Sequence, residues 1–567
     1  MPEMILPGTY IEVRSEGLLT PGQITVGNIG IVGTAARGPL GTPTLLGSYD
    51  DAIAHFGGYD SFLDDAQPPN IRVNALTLTR ALELAFGFGA TTVYAVRVGA
   101  STAAKASLTL ASASGPGVTL TALTEGTWGN ALGVNVSTAT DDAYVVGEVH
   151  PGTEVTAGLK LKRVPKVSAR NRVNVFDSAT ATTTALQVVD PSATLVAGQA
   201  SINTSGALTF FKNPVALDTI TISYVADAAF AMVVTVRFKR TQETFTVFDN
   251  DALATQINAS SALVEAKSLT HPTELPKAIP AVPVQPLVFA GFVGGNDGPE
   301  ASSSDYDGGL TTLLSQPVQI VVAAGKTDIE LGNILDKHCQ KASTDAFKGD
   351  RIGIIGPGPA DLNKPEKYFD RVIGHNLDSD RIIFVAPGIT TPDAAAAKDV
   401  TLPGAYAAAA FAGFLSSLPA HVSSTNKTLN VNGLEFEYDD THLTQLVQNR
   451  VLALEKRRGF HVVKGITTTA GAFKQITTRR IVDYAKYGVR SAADPYVGLL
   501  NNPRVREALR VTLASFLGSM IGDEMLQKFE LTVSATRDEE KRGIVNVQMI
   551  LLPTFSIDFV KVTMVLE

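Results

Sequence analysis

The sequence predicts an α/β multidomain protein with a discontinuous α/β core domain, a large β-rich insertion and a small α/β C-terminal domain. Three observations carry that reading. Short apolar strands alternate with helical patterns near both ends of the chain. Between them, about 101–286, the texture changes to Thr, Ser, Val and Ala in period-two runs broken by Gly, Pro and Asp. The chain then closes on two further alternating runs around a proline. At 567 residues it is too long for one core and predicts roughly three or four domains of about 150 residues each.

The expected domains are 1–28 as an arm, 29–100 with 287–460 as the core, 101–286 as the insertion and 461–567 as the C-terminal domain. In the arm, "GTYIEVR" alternates Thr9, Ile11 and Val13 against Tyr10, Glu12 and Arg14, as a strand does. Turn-rich "SEGLLTPGQITVGN" separates it from anything it could fold back on. In the core, "IGIVG" reads as a buried strand. Ser48 with Asp51 at N3 opens the helix "YDDAIAHF", and Gly57 closes it. A second helix is expected over about 72–86, and "TTVYAVRVG" returns as a strand.

The insertion carries strand patterns such as "KASLTLASA", "ALGVNVSTA" and "DTITISYVA", with one helix at "DNDALATQINASS". Beyond it, "VQIVVAAG", "DRIGIIGPG" and "DRIIFVAPG" are strands alternating with helices such as "DIELGNILDKHCQKA", the order of a mainly parallel sheet. "GAYAAAAFAGFL" is too short to span a bilayer and reads as a buried helix. "THLTQLVQNRVLALEKRRG" reads as one helix ending at Gly459 with its cations at the C-terminus, followed by a strand at "FHVVKGITT". "TTRRIVDYAKYGVRS" and "NNPRVREALRVTLASFLGSMI" are helices, the latter with Asn502 at N-cap and Pro503 at N1. Its core stripe is Val505, Leu509, Leu513, Phe516 and Met520; Arg504, Arg506 and Arg510 point elsewhere.

Composition limits the function classes. The chain is 45% hydrophobic and 18% charged, with 49 Gly and 29 Pro marking many turns. A net charge of −8 disfavours a general nucleic-acid or anionic-membrane binder. Cys339, the one cysteine, can form neither an internal disulfide nor a CxxC metal site. The start "MPEMILPGTYIEV" has no basic region followed by an apolar run, so no signal peptide is expected and synthesis in a cytoplasm is.

No catalytic, metal or cofactor site is expected. "RIGIIGPGPAD" runs a strand into Gly356-Pro357-Gly358, but a dinucleotide fingerprint needs glycine where Asp361 stands. Pro357 and Pro359 also lack N–H groups that a phosphate cradle would use. His338–Cys339 has no further ligands at metal spacing and reads as a buried helix face. The acidic run at 297–307 lacks calcium-loop spacing, and Asp305 reads as a helix cap. "RDEEKRG" is mixed in sign between two strands and reads as a solvated turn.

In the first closing run Val545, Val547, Met549 and Leu551 share one face. After Pro553 the apolar face is Phe555, Ile557 and Phe559; the phase then slips to Val560, Val562, Met564 and Leu566. A phase change inside a strand means a bulge or a change of what covers it.

With these features the chain resembles the contractile tail sheath family of phage tails and phage-derived injection systems. The resemblance is carried by Pro7-Gly8, Tyr10 and Glu12, by Gly38-Pro39, by "VYAVRV", by "EGTWGNAL" with the only tryptophan, Trp128, and by "TTRRIVDYA" and "NNPRVREAL". It spans about 1–135 and 290–567. It implies a non-enzymatic structural protein without cofactors, polymerising as stacked hexameric rings around a tail tube and contracting to drive that tube through a cell envelope. It also implies a C-terminal sheet completed by neighbouring subunits. Thr9, Tyr10, Ile11 and Val13 in the arm and Val560, Val562, Met564 and Leu566 at the end would be the exchanged strands. Arg504, Arg506 and Arg510 would be candidates to face the tube. The implied partners are further copies, the tube protein, and baseplate and terminator proteins, with no direct nucleic acid and no membrane insertion. The implied location is a virion tail or injection particle assembled in a bacterial host cytoplasm. The competing readings are an α/β hydrolase or transferase using the "GPGPAD" loop, and a surface-layer or capsid-type protein.

Overall fold

Ile29–Gly33, Ile352–Gly356 and Ile382–Ala386 are buried at every position, as strands inside a sheet covered on both faces must be. They belong to a computed structural model that describes residues 26–62, 75–280, 287–360 and 364–565. The chain divides into two compact units, Met1–Ala100 with Pro299–Glu567, and Ser101–Gly298.

The first unit is built on an eight-stranded sheet in the order Pro43–Leu46, Val93–Arg97, Ile29–Gly33, Ile320–Thr327, Ile352–Gly356, Ile382–Ala386, Leu452–Lys456 and Phe460–Val462. The six inner strands run parallel, and each outermost strand is antiparallel to its neighbour. One face is covered by the helices Leu78–Gly87 and Gly404–Ser416, the other by Ser303–Thr312, Asn333–Ala342, Pro365–Ile373 and Asp440–Gln448. The small residues of "GAYAAAAFAG" let Gly404–Ser416 lie against its neighbours' backbone. A Cβ on Gly413 would meet the Ala85 carbonyl oxygen at 2.2 Å, and one on Gly356 would meet that of Gly404 at 2.1 Å.

Several local expectations change. The expected helix over 72–86 begins at Leu78, and residues 72–74 lie outside the described part. Asp305 is not the cap itself: Ser302 caps, and Asp305 completes the capping box from N3. The run ending at Gly459 is not one helix. It stops at Gln448, Arg450 takes φ 66°, and "LALEK" becomes a strand hydrogen-bonded in parallel to Ile382–Ala386. Arg457 and Arg458 therefore sit in a hairpin turn before Phe460–Val462, not at a helix end, and the strand expected at "FHVVKGITT" is only those three residues. "RDEEKRG" contains a short helix, Arg537–Lys541, with a Thr536–Glu539 capping box.

The second unit holds sheets of six, four and three strands and the helix Asn250–Ser260, around two apolar cores. Ala290–Gly291 pairs with Leu132–Thr138 and closes its four-stranded sheet. Trp128, on the 3-10 turn Thr127–Ala131, sets its ring edge-on to Phe238 at 5.3 Å.

Candidate assembly surface

The sequence features that could suggest catalysis are absorbed by packing. Gly356 has the Gly404 backbone against it, and Asp361 at the end of that loop lies outside the described residues. His338 faces the guanidinium of buried Arg351 at 3.2 Å; burial first and that charge second push its pKa down to about 3, so it accepts as a neutral ring. Cys339 is buried, which pushes its thiol up to about 12. Among the described residues no group of three or more His, Cys, Asp or Glu could hold a metal ion, and no helix is long and apolar enough to cross a membrane.

The C-terminal domain is organised differently. Ile476–Ala493 and Pro503–Gly522 pack together, with Phe516, Leu517 and Met520 of the second against Ile481 and Ala485 of the first. Gly488 permits this approach, since a Cβ there would meet the Phe516 ring at 1.9 Å. Asn502 caps the second helix by accepting from the Val505 amide. Its stripe is buried at Leu509, Leu513, Phe516 and Met520 as expected, while Val505 is half-buried.

On these helices lies an antiparallel pair, Leu526–Ser534 with Asn546–Pro553. Phe529, Leu531 and Val533 pair with Leu551, Met549 and Val547 on the inner face, yet all stay only half-buried. Two strands are too few to cover both helices, and isolated pairs are marginal in water. Among the described residues no third strand joins either side, so both strands are edges with unpaired backbone groups.

After Pro553 the chain forms no strand through Val565, although the sequence reads as one. The Thr554 amide donates to the Met525 carbonyl at 3.0 Å. Asp558 accepts from Lys464 at 3.0 Å and Gln475 at 3.2 Å, and the Lys464 ammonium lies 5.0 Å from the centre of the Phe559 ring. Beyond these holds Val560, Val562, Met564 and Val565 are at least 72% exposed. Leu566 and the arm residues Thr9, Tyr10, Ile11 and Val13 lie outside the described residues.

The expected tube-facing arginines are not equivalent. Arg506 donates to Glu540 and to Asn501, both at 2.9 Å, which holds the helix to the hairpin turn. Arg510 forks onto Glu507 on the same exposed surface, and Arg504 is exposed in the first turn.

Sequence reasoning missed the charged junction that fastens this domain to the core. Asp350 accepts from Arg381 at 3.2 Å, from Arg490 at 2.7 Å and from Lys486; Asp483 accepts from Arg381 and Arg479. Arg480, buried and pushed down to about 10 by desolvation, donates to the carbonyls of Leu418 and Pro419. The clustering of arginines in "TTRR" was the available signal.

The C-terminal domain thus presents an uncapped edge pair beside a tail with exposed apolar side chains. Residues 468–567 match the family model of the phage tail sheath C-terminal domain. The chain is similar in structure to a sheath tail protein of Desulfitobacterium hafniense, at 16% identity and a TM-score of 0.57, covering 97% of each chain. It is similar also to the sheath tail protein Lin1278 of Listeria innocua, at 13% identity and a TM-score of 0.57, over 94% of this chain and 96% of that one. No curated protein matches it in sequence. Residues 468–567 are thus similar to the phage tail sheath C-terminal domain, and the chain carries the fold of tail sheath proteins.

Proposed function

We propose that this chain is the sheath subunit of a contractile tail or injection system, stacked as hexameric rings around a tube that contraction drives through a target envelope. The observation that carries the reading is the two-stranded C-terminal sheet with both edges open, beside a tail whose apolar residues face solvent. Each subunit lends the strand at 9–13 and the strand at 560–566 to sheets of its neighbours. An added strand making about five ladder bonds at roughly 0.5–1.5 kcal/mol net each contributes a few kcal/mol. Many such links in a lattice gain further through effective concentration.

Strand pairing can persist while linkers bend, so rings turn without separating, and the work of contraction comes from contacts between the globular bodies. On this reading Arg504 and Arg510 remain on the surface for the tube, whereas Arg506 serves the hairpin turn. The partners are further copies, the tube protein, and baseplate and terminator proteins, in particles assembled in a bacterial cytoplasm. The insertion 101–286 faces outward.

The test is assembly of the chain alone by negative-stain microscopy, for the full chain and for deletions of 1–20 and of 560–567. Tubes or ring stacks of uniform width are expected from the full chain, and loss of assembly with unchanged circular dichroism from each deletion. Assembly that survives both deletions overturns the strand exchange.

A further inference from the structure

Beside the charged junction of the core with the C-terminal domain, the described residues line a cavity of about 400 Å³. Its wall is apolar, built by Leu314, Val318, Ile320 and Ile352 with Tyr484, and the exposed rings of Phe347 and Tyr487 stand at its rim. Close-packed interiors leave few apolar spaces of this size empty. The cavity also holds a charge without a partner of opposite sign. Arg480 lines it and is only 7% exposed. Its guanidinium donates to the carbonyls of Val26 at 3.4 Å, Leu418 at 2.8 Å and Pro419 at 3.2 Å and, among the described residues, to no carboxylate. The two acids at the cavity, Asp350 and Asp483, are taken by Arg381, Arg479, Lys486 and Arg490. A buried charge without a counter-charge is costly, so the site calls for an occupant that is apolar and anionic.

The chain itself leads to this place. Val26 lines the cavity and is the first described residue; residues 1–25 lie outside the described part. Immediately before it the sequence reads "EGLLTPGQIT", residues 16–25. Thr20-Pro21-Gly22-Gln23 is a turn sequence, with Pro at its second position and Gly at its third. Glu16 is the only acid between Ser15 and Val26.

We propose that residues 16–25 of this same chain double back at Pro21-Gly22 and occupy the cavity, with Leu19 and Ile24 filling its apolar part and Glu16 meeting Arg480. A turn at 20–23 sets Leu19 opposite Ile24, and alternation puts Ile24 on the side of Val26, which already lines the cavity. The returning segment carries Gly17 and Glu16 past Val26, whose carbonyl Arg480 holds. The contact is intramolecular and leaves the strand at 9–13 outside it, so it holds or fails apart from the exchange between subunits. Its consequence is a fixed root for the arm. The arm departs from the joint between core and C-terminal domain, and residues 1–15 keep a reach of about 50 Å at full extension.

Disulfide trapping in the full chain tests this. Leu19→Cys combined with Tyr487→Cys, and separately with Phe347→Cys, joins the segment to the rim; native Cys339 is buried. Mild oxidation is expected to link at least one of these pairs within single chains, at ten times or more the yield of Tyr10→Cys with Tyr487→Cys. Links found only between chains give the cavity to a second copy's segment and overturn the proposal. Absence of links in both pairs, with unchanged circular dichroism, overturns it outright. A second measurement uses 8-anilinonaphthalene-1-sulfonate, an apolar anion that suits the cavity when open. Leu19→Asp is expected to raise its emission at least threefold over the native chain, and adding Ala346→Trp at the cavity wall to cancel the gain. Equal emission with and without Leu19→Asp, or a gain that survives Ala346→Trp, overturns the filling by Leu19. For the charge, Glu16→Lys is expected to cut the linked fraction at least threefold and Glu16→Asp to keep it. An unchanged fraction in Glu16→Lys removes Glu16 from the proposal.

Discussion

Arg381 and Asp483 meet where the α/β core joins the C-terminal domain: Nη1 donates to Oδ2 at 3.0 Å and Nη2 to Oδ1 at 3.2 Å. Arg381 immediately precedes the strand Ile382–Ala386, and Asp483 stands on the helix Ile476–Ala493, so one guanidinium fixes the direction of the second element against the first. Both side chains are largely buried. Removing one partner of such a pair leaves the other desolvated, which costs about 3–5 kcal/mol. Arg381→Met is therefore expected to lower stability by that order in urea unfolding followed by circular dichroism. A loss under about 1 kcal/mol would show that the remaining contacts already carry the junction.

Asp350 gives the same junction a pH dependence. Burial raises its carboxyl pKa, but hydrogen bonds from Lys486 and Arg490 outweigh burial and the net shift is downward. A carboxylate whose folded pKa lies below its unfolded value of about 3.9 contributes stability above that value and loses it as pH falls through the folded pKa. Limited proteolysis within 476–493 is thus expected to accelerate as acid protonates Asp350. Asp350→Asn should bring that susceptibility up to neutral pH and flatten the profile.

The parts of the fold that local chemistry decides were legible in the chain. Ser48 and Asn502 cap the helices they were expected to cap, and Val547, Met549 and Leu551 share the inner face that their alternation assigns. "LALEK" was misread because Leu, Ala, Glu and Lys favour helix and continue the preceding 3.6-residue pattern. The sheet beside Ile382–Ala386 supplies ladder bonds that outweigh this preference, and the left-handed Arg450 makes the break. The junction joins Arg381 to Asp483, 102 positions on, and Asp350 to Lys486, 136 positions on, and no spacing rule brings them together. The tail's alternation was visible, but what covers it is not supplied by the described part of the chain.

Gly488 tests how closely the two C-terminal helices must approach. A Cβ at this position would sit 1.9 Å from Phe516 Cζ, well inside van der Waals contact. Gly488→Ala must rotate the Phe516 ring or part the helices, and such overpacking costs about 1–3 kcal/mol. Combining it with Phe516→Leu should recover part of the loss in the same unfolding measurement. A neutral or stabilising Gly488→Ala would mean that the ring yields without cost.

Cys339 serves as a built-in clock for opening of the first unit. It is buried, and its thiol is pushed up to about 12, so at neutral pH it holds almost no thiolate and no reagent reaches it. Alkylation should be at least a hundredfold slower than for the urea-unfolded chain and should speed up in Arg381→Met. Fast labelling of the native protein would place the thiol at the surface.

Trp128 reports on the other unit alone. Its ring packs edge-on against Phe238 and its Nε1 donates to the Thr124 carbonyl at 3.2 Å. Among the described residues, the core it packs against draws on residues of Ser101–Gly298, and the cores of the first unit draw on none of them. A multidomain chain need not unfold in a single step. Tryptophan emission should therefore follow the insertion, while the Cys339 labelling rate follows the α/β unit. Arg381→Met is expected to shift the labelling transition and leave the emission transition in place. Coincident shifts of both probes in Arg381→Met would show instead that the two units unfold as a single cooperative body.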